Sequence, residues 1–369
     1  MINKIEMYKV GFGDCFICSD EENRNKMLVD CGSIREVHPN IIEDINLSLA
    51  RTNNYLMITH FHDDHFNKLE KLDPELKFSE IYLPNFFTRN IIRLEYSILA
   101  SNNKNLNDDA HVIAINLLKI IPTIARHFKN GVRISFLNKD YGLHKEFIER
   151  NGLDKIRILW PEMSYIEQKA KKLNEKIDNI ISEENRQLLD DKANKFIEKC
   201  SIYVYKREER KNNVDNNYST QKSDEVTIEI PHKLYKTITE FQNQICLCFD
   251  NANSQNDNPV LFLSDINKRG YNAIKNYNDL APHYSIIKVP HHGTKKYYIN
   301  NLPDSDSLLI PNDNARKKWD IYNEYFITYQ ARNIITNSRC CRYLGSCRRS
   351  RCIVKKCVRM SDRFCIISV

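Results

Sequence analysis

One short segment constrains the fold and the chemistry of this chain more than any other. A continuous apolar run, Tyr55 to Thr59, leads directly into His60-Phe61-His62-Asp63-Asp64-His65. Such a run is typical of a strand that is buried on both faces. His60 and His62 are two residues apart, so their imidazoles point to the same side of an extended segment. Three imidazoles and a carboxylate so close together form a ligand set suited to Zn²⁺ or another borderline transition metal.

Three further apolar runs end in histidine or aspartate. One runs into Val289-Pro290-His291-His292-Gly293-Thr294, one ends at Leu263-Ser264-Asp265, and one ends at Val29-Asp30-Cys31-Gly32. A histidine pair alone is weak evidence for a metal, and an aspartate at a strand end is as often a helix cap. Four strands with such ends together predict one cluster at one edge of a sheet.

Strands and helices alternate along the chain, which predicts an α/β protein with helical insertions. Helical spacing predicts a helix near residues 40–50, insertions at about 86–130 and 163–215, and within the second a long helix over 164–199. Residues 207–224 contain almost no apolar side chains, so we predict a loop there. The predicted strands cover residues 4–10, 15–19, 26–30, 55–59, 132–137, 156–160, 226–230, 245–249, 260–263 and 285–289.

The positive charge of the chain is concentrated at one end. The net charge is +7, yet the segment from Ala315 to Val369 has 13 Lys+Arg and 3 Asp+Glu, or +10, which leaves −3 for the rest. A basic segment of this kind is expected to meet an anion or a nucleic acid. We predict a domain over 1–337 and a basic, Cys-rich C-terminal extension over 338–369. This extension either contributes substrate affinity through its charge or completes the fold with a final strand at 364–369.

The composition also bears on the environment of the protein. No stretch approaches the roughly 18 consecutive apolar residues of a membrane-spanning helix, and no secretory signal is visible, so we expect a cytoplasmic protein without membrane partners. In that setting the 12 cysteines are expected to be reduced. Cys15-Phe16-Ile17-Cys18 has the spacing of a redox motif but is predicted to be a strand, where the two thiols face opposite sides.

Taken in order, the four motifs resemble those of the metallo-β-lactamase superfamily. They are Leu-Val-Asp-Cys-Gly at 28–32, His-x-His-x-Asp-His at 60–65, Leu-Ser-Asp at 263–265 and Pro-His-His-Gly-Thr at 290–294. More narrowly, Val10-Gly11-Phe12-Gly13-Asp14 and the segment from Lys288 to Thr294 resemble the soluble hydrolase domain of ComEC-type DNA-uptake proteins and their free-standing relatives. The resemblance covers most of the chain.

The resemblance implies an αβ/βα four-layer sandwich, in which two sheets pack face to face with helices outside, and a dinuclear metal site at one edge. It implies two divalent ions, Zn²⁺ with Mn²⁺ as the alternative. His60 and His62 would hold the first ion, Asp64 and His65 the second, and Asp265 would bridge the two.

The resemblance also implies roles for residues around this core. The last histidine ligand corresponds to His291 or His292, with His292 favoured and His291 next to it. Asp30 would lie below the site and orient a ligand histidine through a hydrogen bond. One histidine ligand that is expected between the first cluster and Asp265 has no matching motif; its candidates are His111, His127, His144 and His232.

The implied reaction is hydrolysis by a metal-bridging hydroxide, with Asp64, His65 and Asp265 as the catalytic residues. Thr294, Lys295 and Lys296 would bind the substrate, because two ammonium groups there can neutralise a phosphate. The favoured function is that of a phosphodiesterase or nuclease acting on a phosphate-containing substrate, with nucleic acid as a candidate. The alternatives are a hydrolase of a lactone or thioester and a non-catalytic metal-binding regulatory module. The sequence leaves the natural substrate and the oligomeric state open.

Overall fold

The computed structural model describes residues 2–102, 109–128, 132–139, 156–205, 227–252, 258–277, 280–312, 320–329, 333–336 and 364–368. Within these ranges the chain forms two mixed β-sheets and nine α-helices. The predicted α/β class is therefore confirmed.

Seven strands form the first sheet: β1 Lys4–Tyr8, β2 Cys15–Ser19, β3 Asn25–Cys31, β4 Asn53–Met57, β5 Phe78–Pro84, β6 Ile134–Leu137 and β13 Phe364–Ser368. Their order is β13-β1-β2-β3-β4-β5-β6. Strands β3 to β6 are parallel, whereas β13, β1 and β2 pair antiparallel with their neighbours. The last described strand of the chain therefore pairs with the first.

Six strands form the second sheet: β7 Arg157–Trp160, β8 Cys248–Asp250, β9 Val260–Phe262, β10 His283–Lys288, β11 Asp304–Ile310 and β12 Asn333–Thr336. Their order is β12-β11-β10-β9-β8-β7. Strands β9 to β12 are parallel, and β7 and β8 complete the sheet with antiparallel pairs.

The two sheets share a buried apolar cluster, because each strand alternates its side chains between two faces. In β3, Met27 and Val29 belong to this cluster, whereas Leu28 belongs to a larger cluster that also contains the buried residues of the helices. Phe16 of β2 contacts Phe262 of β9 edge-on, with ring centroids 5.5 Å apart. One face of each sheet thus packs toward the other sheet.

The helices are α1 Pro39–Leu49, α2 Asp63–Phe66, α3 Arg89–Leu99, α4 Asp109–His127, α5 Met163–Asp178, α6 Glu183–Tyr205, α7 His232–Gln242, α8 Lys268–Tyr277 and α9 Glu324–Thr328. Helix α3 shows why these segments are helical. Its buried apolar residues recur at helical spacing, and the Thr88 hydroxyl accepts from the backbone N–H of Ile91 as an N-cap.

Three sequence predictions need correction. The predicted helix over 164–199 is two helices, because Asn179 ends α5 and the Ser182 hydroxyl accepts from the backbone N–H of Asn185 at the start of α6. The predicted strand over 226–230 has only an isolated bridge between Ile228 and Ser101 in its described part. The strand predicted at 245–249 is shifted to β8.

Cys15 and Cys18 both lie in β2 and belong to different buried clusters, so they face opposite sides as predicted. The predicted loop at 207–224, His144 and most of the basic C-terminal extension lie outside the described residues. Of that extension, Phe364–Ser368 forms β13. None of the helices in the described ranges is long and apolar enough to cross a membrane.

Candidate metal centre

The four motif segments meet where parallel strands end. Asp30 lies near the end of β3, and His60 follows the end of β4. In the second sheet Asp265 follows β9, and His291 follows β10. Strands β3 and β4 are neighbours, as are β9 and β10, so each sheet brings two motif segments to the same edge. The carboxyl ends of parallel strands are the usual place for ligand sites in α/β proteins.

The backbone at these strand ends is locally strained. Among the described residues six non-glycine residues have positive φ, and four of these lie here: Asp30 at 58°, Ser264 at 43°, His291 at 44° and His292 at 53°. The left-handed conformation costs roughly 1–2 kcal/mol per residue. Such residues persist where the surrounding structure holds them, and they concentrate at functional sites.

Gly32 is needed because two segments of the site approach each other closely. A Cβ atom built on Gly32 would lie 2.3 Å from the backbone carbonyl carbon of Asp64 and from the backbone nitrogen of His65. Any larger residue would push α2 away from the end of β3. The absence of a side chain at Gly32 thus lets Asp64 and His65 reach the other ligands.

His60, His62 and Asp265 form what we term the first ligand group, whose ligand atoms all lie within 4.8 Å of one another. His60 Nε2 lies 2.9 Å from His62 Nδ1, and His62 Nδ1 lies 3.8 Å from Asp265 Oδ2. His291 approaches the same carboxylate, with its Nε2 3.7 Å from Asp265 Oδ2. The side chains of His62 and His291 are 18% and 19% exposed, so this side of the site is open to solvent.

Asp64, His65 and His292 form the second ligand group, again with ligand atoms within 4.8 Å of one another. His292 Nε2 lies 3.1 Å from Asp64 Oδ2. His65 Nε2 lies 3.4 Å from Asp265 Oδ2, so Asp265 adjoins both groups. His65 and His292 are fully buried, in contrast to His62 and His291.

Several buried atoms of the site have no hydrogen-bond partner in the described structure. They are both carboxylate oxygens of Asp265, Nδ1 of His60, Nε2 of His65, both ring nitrogens of His292 and Oδ1 of Asp14. His292 Nδ1 and Asp14 Oδ1 form an ion-pair contact of 3.2 Å that lacks hydrogen-bond geometry. Unpartnered buried polar atoms are rare, because each costs about 1–3 kcal/mol. Imidazole nitrogens and carboxylate oxygens are the atoms that bind Zn²⁺ and similar ions. The buried residues of both groups therefore fit a divalent metal ion.

The charge states differ between the two groups. Burial and the nearby His62 hold the pKa of His60 well below its usual value, and burial lowers the pKa of His291 to about 4. Burial also opposes charge on His65, but the carboxylates of Asp265 and Asp30 outweigh it and raise the pKa. His60 and His291 are thus neutral at pH 7, so each has a lone pair that can bind a cation.

The pKa of His292, like that of His65, is set by burial and by nearby carboxylates, which act in opposite directions. Burial opposes its charged form, but the Asp14 carboxylate raises its pKa to about 9. A cation that enters the second group therefore replaces a proton.

Three contacts from Thr59 and His65 hold the Asp30 carboxylate. Its Oδ1 accepts from the backbone N–H of Thr59 at 2.7 Å, and its Oδ2 accepts from the Thr59 hydroxyl at 2.6 Å. His65 Nδ1 lies 2.8 Å from the same Oδ2. The Ser264 hydroxyl donates to Thr59 Oγ1 at 2.9 Å, which ties the second sheet to this network. Asp30 thereby fixes the ring of His65 from the side opposite Asp265.

Two buried residues of the site were not assigned a role from the sequence. Asp14 Oδ2 lies 2.5 Å from Lys288 Nζ, and Asp14 Oδ1 lies 3.2 Å from His292 Nδ1. Lys288 is 1% exposed, and its ammonium also donates to the Ser264 carbonyl at 3.1 Å. The signal for Lys288 was a single charged residue inside the apolar run from Ile286 to Val289.

The predicted substrate-binding residues divide into two kinds. Thr294 is buried, and its hydroxyl donates to the His291 carbonyl and lies 3.2 Å from His291 Nδ1, so it contacts His291 instead of solvent. Lys295 and Lys296 are exposed next to it. The Lys295 ammonium lies 5.6 Å from the centroid of the Tyr322 ring.

The candidates for the additional histidine lie elsewhere or outside the described residues. In the described part of the chain, the possible ligand groups contain neither His111 nor His127 nor His232. A ring nitrogen of His127 lies 3.0 Å from the Leu72 carbonyl, so this histidine joins α4 to the segment before β5.

No protein-family model matches the chain, and no curated protein matches it significantly.

Proposed function

We propose that this chain is a metal-dependent hydrolase of phosphodiesters, built on the four-layer αβ/βα sandwich of metallo-β-lactamase-like proteins. The observation that carries the proposal is the convergence of unpartnered nitrogens and carboxylate oxygens from residues that follow β4, β9 and β10, namely His60, His65, Asp265 and His292. Two divalent ions held by the two ligand groups would supply hydroxide from water near neutral pH and would stabilise negative charge on an attacked phosphoryl group.

The residues of the chain itself divide the remaining tasks. Asp30 and the backbone of Thr59 keep His65 in one orientation, and Asp265 offers an oxygen to each side of the site. His62 and His291 border the side that is open to solvent, so a substrate would approach there. Lys295 and Lys296 lie next to His291 and offer two ammonium groups to a phosphate, which favours a phosphodiester over a neutral lactone or thioester.

The test is metal analysis of the purified protein, followed by assays on bis(p-nitrophenyl) phosphate, single-stranded DNA, RNA and a thioester. We expect two transition-metal ions per chain and diester hydrolysis that a chelator abolishes and Zn²⁺ or Mn²⁺ restores. No bound metal, together with no gain on adding metal, would refute the proposal. Faster turnover of the thioester would favour the carboxyl-hydrolase alternative, and bound metal without any hydrolysis would favour the regulatory module.

A further inference from the structure

His65 and His292 are surrounded in the same way. The Nδ1 of His65 faces Asp30 at 2.8 Å, and its Nε2 faces Asp265 at 3.4 Å. The Nδ1 of His292 faces Asp14 at 3.2 Å, and its Nε2 faces Asp64 at 3.1 Å. Each ring thus has one carboxylate near Nδ1 and another near Nε2, and the Nε2 side faces the ligand groups. A histidine that binds a metal through Nε2 needs its proton on Nδ1, and an acceptor at Nδ1 fixes that state.

Asp14 is held in place by both sheets. It precedes β2, its backbone N–H donates to the Asp64 carbonyl at 2.9 Å, and its own carbonyl accepts from the N–H of Gly32 at 3.1 Å. Its second carboxylate oxygen lies 2.5 Å from the ammonium of Lys288, the last residue of β10. The Asp14–Lys288 pair is fully buried and joins the start of β2 to the end of β10.

We propose that Asp14 is a positioning residue for His292 and that the Lys288 ammonium is the cation that keeps Asp14 oriented toward it. This inference rests on the metal-binding part of the proposed function. One carboxylate oxygen contacts the Lys288 ammonium and the other contacts His292 Nδ1. Only a side chain with two acceptor oxygens can contact both neighbours in this way.

The pair also accounts for a third possible ligand group, formed by Asp14, His65 and Asp265. Lys288 Nζ lies 2.5 Å from Asp14 Oδ2 and 3.8 Å from Asp265 Oδ1, so a positive charge already lies between these two carboxylates. The Nδ1 of His65 is engaged by Asp30. We therefore expect the site to bind two metal ions and not three.

The test measures the Zn²⁺ affinity of metal-free protein by competition with a chelator. In Asp14→Asn the amide has one acceptor oxygen, which Lys288 will take, so the NH₂ group turns toward His292 and the ring proton moves to Nε2. We expect the second ion to bind 10–100-fold more weakly. In Asp14→Asn/Lys288→Met the oxygen is free to accept from Nδ1–H, and we expect most of the affinity to return.

The matched control is Asp250→Asn. Asp250 is also a buried carboxylate in an ion pair, 2.7 Å from Arg157, and it accepts from the Tyr284 hydroxyl at 2.7 Å. This variant should lose stability and keep its Zn²⁺ affinity. Unchanged affinity in Asp14→Asn, a loss that Lys288→Met does not rescue, or three ions bound by the wild type would each overturn the inference and leave the proposed function standing.

A second comparison covers the case in which Asp14→Asn does not fold. Asp14→Asn/Lys288→Met and Asp14→Leu/Lys288→Met both lack the charged pair, and only the former has an acceptor for Nδ1. The Leu variant should bind the second Zn²⁺ 10–100-fold more weakly than the Asn variant. Equal affinities would overturn the inference. A wild type that binds no Zn²⁺ would overturn both the inference and the proposed function.

Discussion

Two buried polar regions of this molecule behave differently. In the candidate metal centre, histidines and carboxylates from four strand ends face one another with many atoms unpartnered. In the second region, the Glu95 side chain of α3 and the Gln242 side chain of α7 are equally buried and form one pair, in which one oxygen of each side chain lacks a partner. Gln242 Nε2 donates to Glu95 and to the Ala110 carbonyl. Burial raises the pKa of Glu95 to about 8, so this carboxyl is neutral at pH 7.

The difference shows that burial of an ionisable group does not by itself indicate function. A lone buried carboxyl takes up a proton and becomes a neutral hydrogen-bonding group. The Asp265 carboxyl of the metal centre does not take up a proton in this way, because the nearby histidines hold its pKa well below its usual value although burial acts to raise it. A carboxylate that stays charged while buried is what favours a bound cation.

The largest expected effect separates the two regions directly. Asp265→Ala removes a carboxylate that adjoins both ligand groups, so we expect the variant to bind fewer ions and to lose diester hydrolysis by several orders of magnitude. Glu95→Gln should retain near-wild-type turnover. Steady-state kinetics and metal analysis of both variants provide the check, and a comparable loss in Glu95→Gln would break the distinction between the regions.

The sequence predicted the first region and missed the second for a physical reason. A motif such as His60 to His65 places its ligands within one turn, so spacing alone brings them together. Glu95 and Gln242 are 147 residues apart in sequence, and each lies in an ordinary amphipathic helix. Their pairing depends on how α3 and α7 pack, which the periodicity of neither helix specifies.

Prediction of the fold from sequence has the same limit, because a local pattern does not specify contacts between distant segments. Alternating and continuous apolar runs predicted most strands, because burial of one or both faces leaves a local pattern. Between Asp178 and Glu183, where Asn179 ends one helix and Ser182 accepts a hydrogen bond at the start of the next, one predicted helix became two. Lys288 belongs to one of the motif segments, but its partner Asp14 is 274 residues away, and only the tertiary structure pairs them.

The second prediction concerns stability against pH. The folded protein keeps the proton on Glu95 up to about pH 8, whereas a free glutamate has a pKa of 4.5. Between these pH values the unfolded chain releases the proton first, so the free energy of unfolding falls as pH rises and then levels off. The loss is on the order of 4 kcal/mol. Urea denaturation of metal-free wild type and Glu95→Gln from pH 5 to pH 9 tests this, and parallel curves would contradict it.

A third and smaller effect should arise at Asp30. Asp30→Asn keeps one acceptor oxygen for three donors, so His65 loses its fixed orientation, and we expect Zn²⁺ to bind about 10–100-fold more weakly. The control is Asp63→Asn in the same segment, because Asp63 is exposed and its carboxylate accepts from Asn116 at 2.8 Å, away from the ligands. Calorimetric titration of both metal-free variants with Zn²⁺ measures the two affinities. If the two variants bind equally well, Asp30 is not part of the functional region.

The smallest effect should mark the outer boundary of the functional region. Lys295 and Lys296 are exposed, so each contributes only screened attraction to a phosphate. Lys295→Ala/Lys296→Ala should raise KM for single-stranded DNA a few-fold and reduce the dependence of log KM on log salt by about one unit, while turnover at saturating DNA stays close to that of the wild type. Lys171→Ala/Lys172→Ala on α5 removes the same charge from two exposed lysines of another element, and it separates a local contact from a change in net charge. Equal salt slopes in the two double variants would mean that the phosphate is bound elsewhere, and the functional region would then end at His291 and His62.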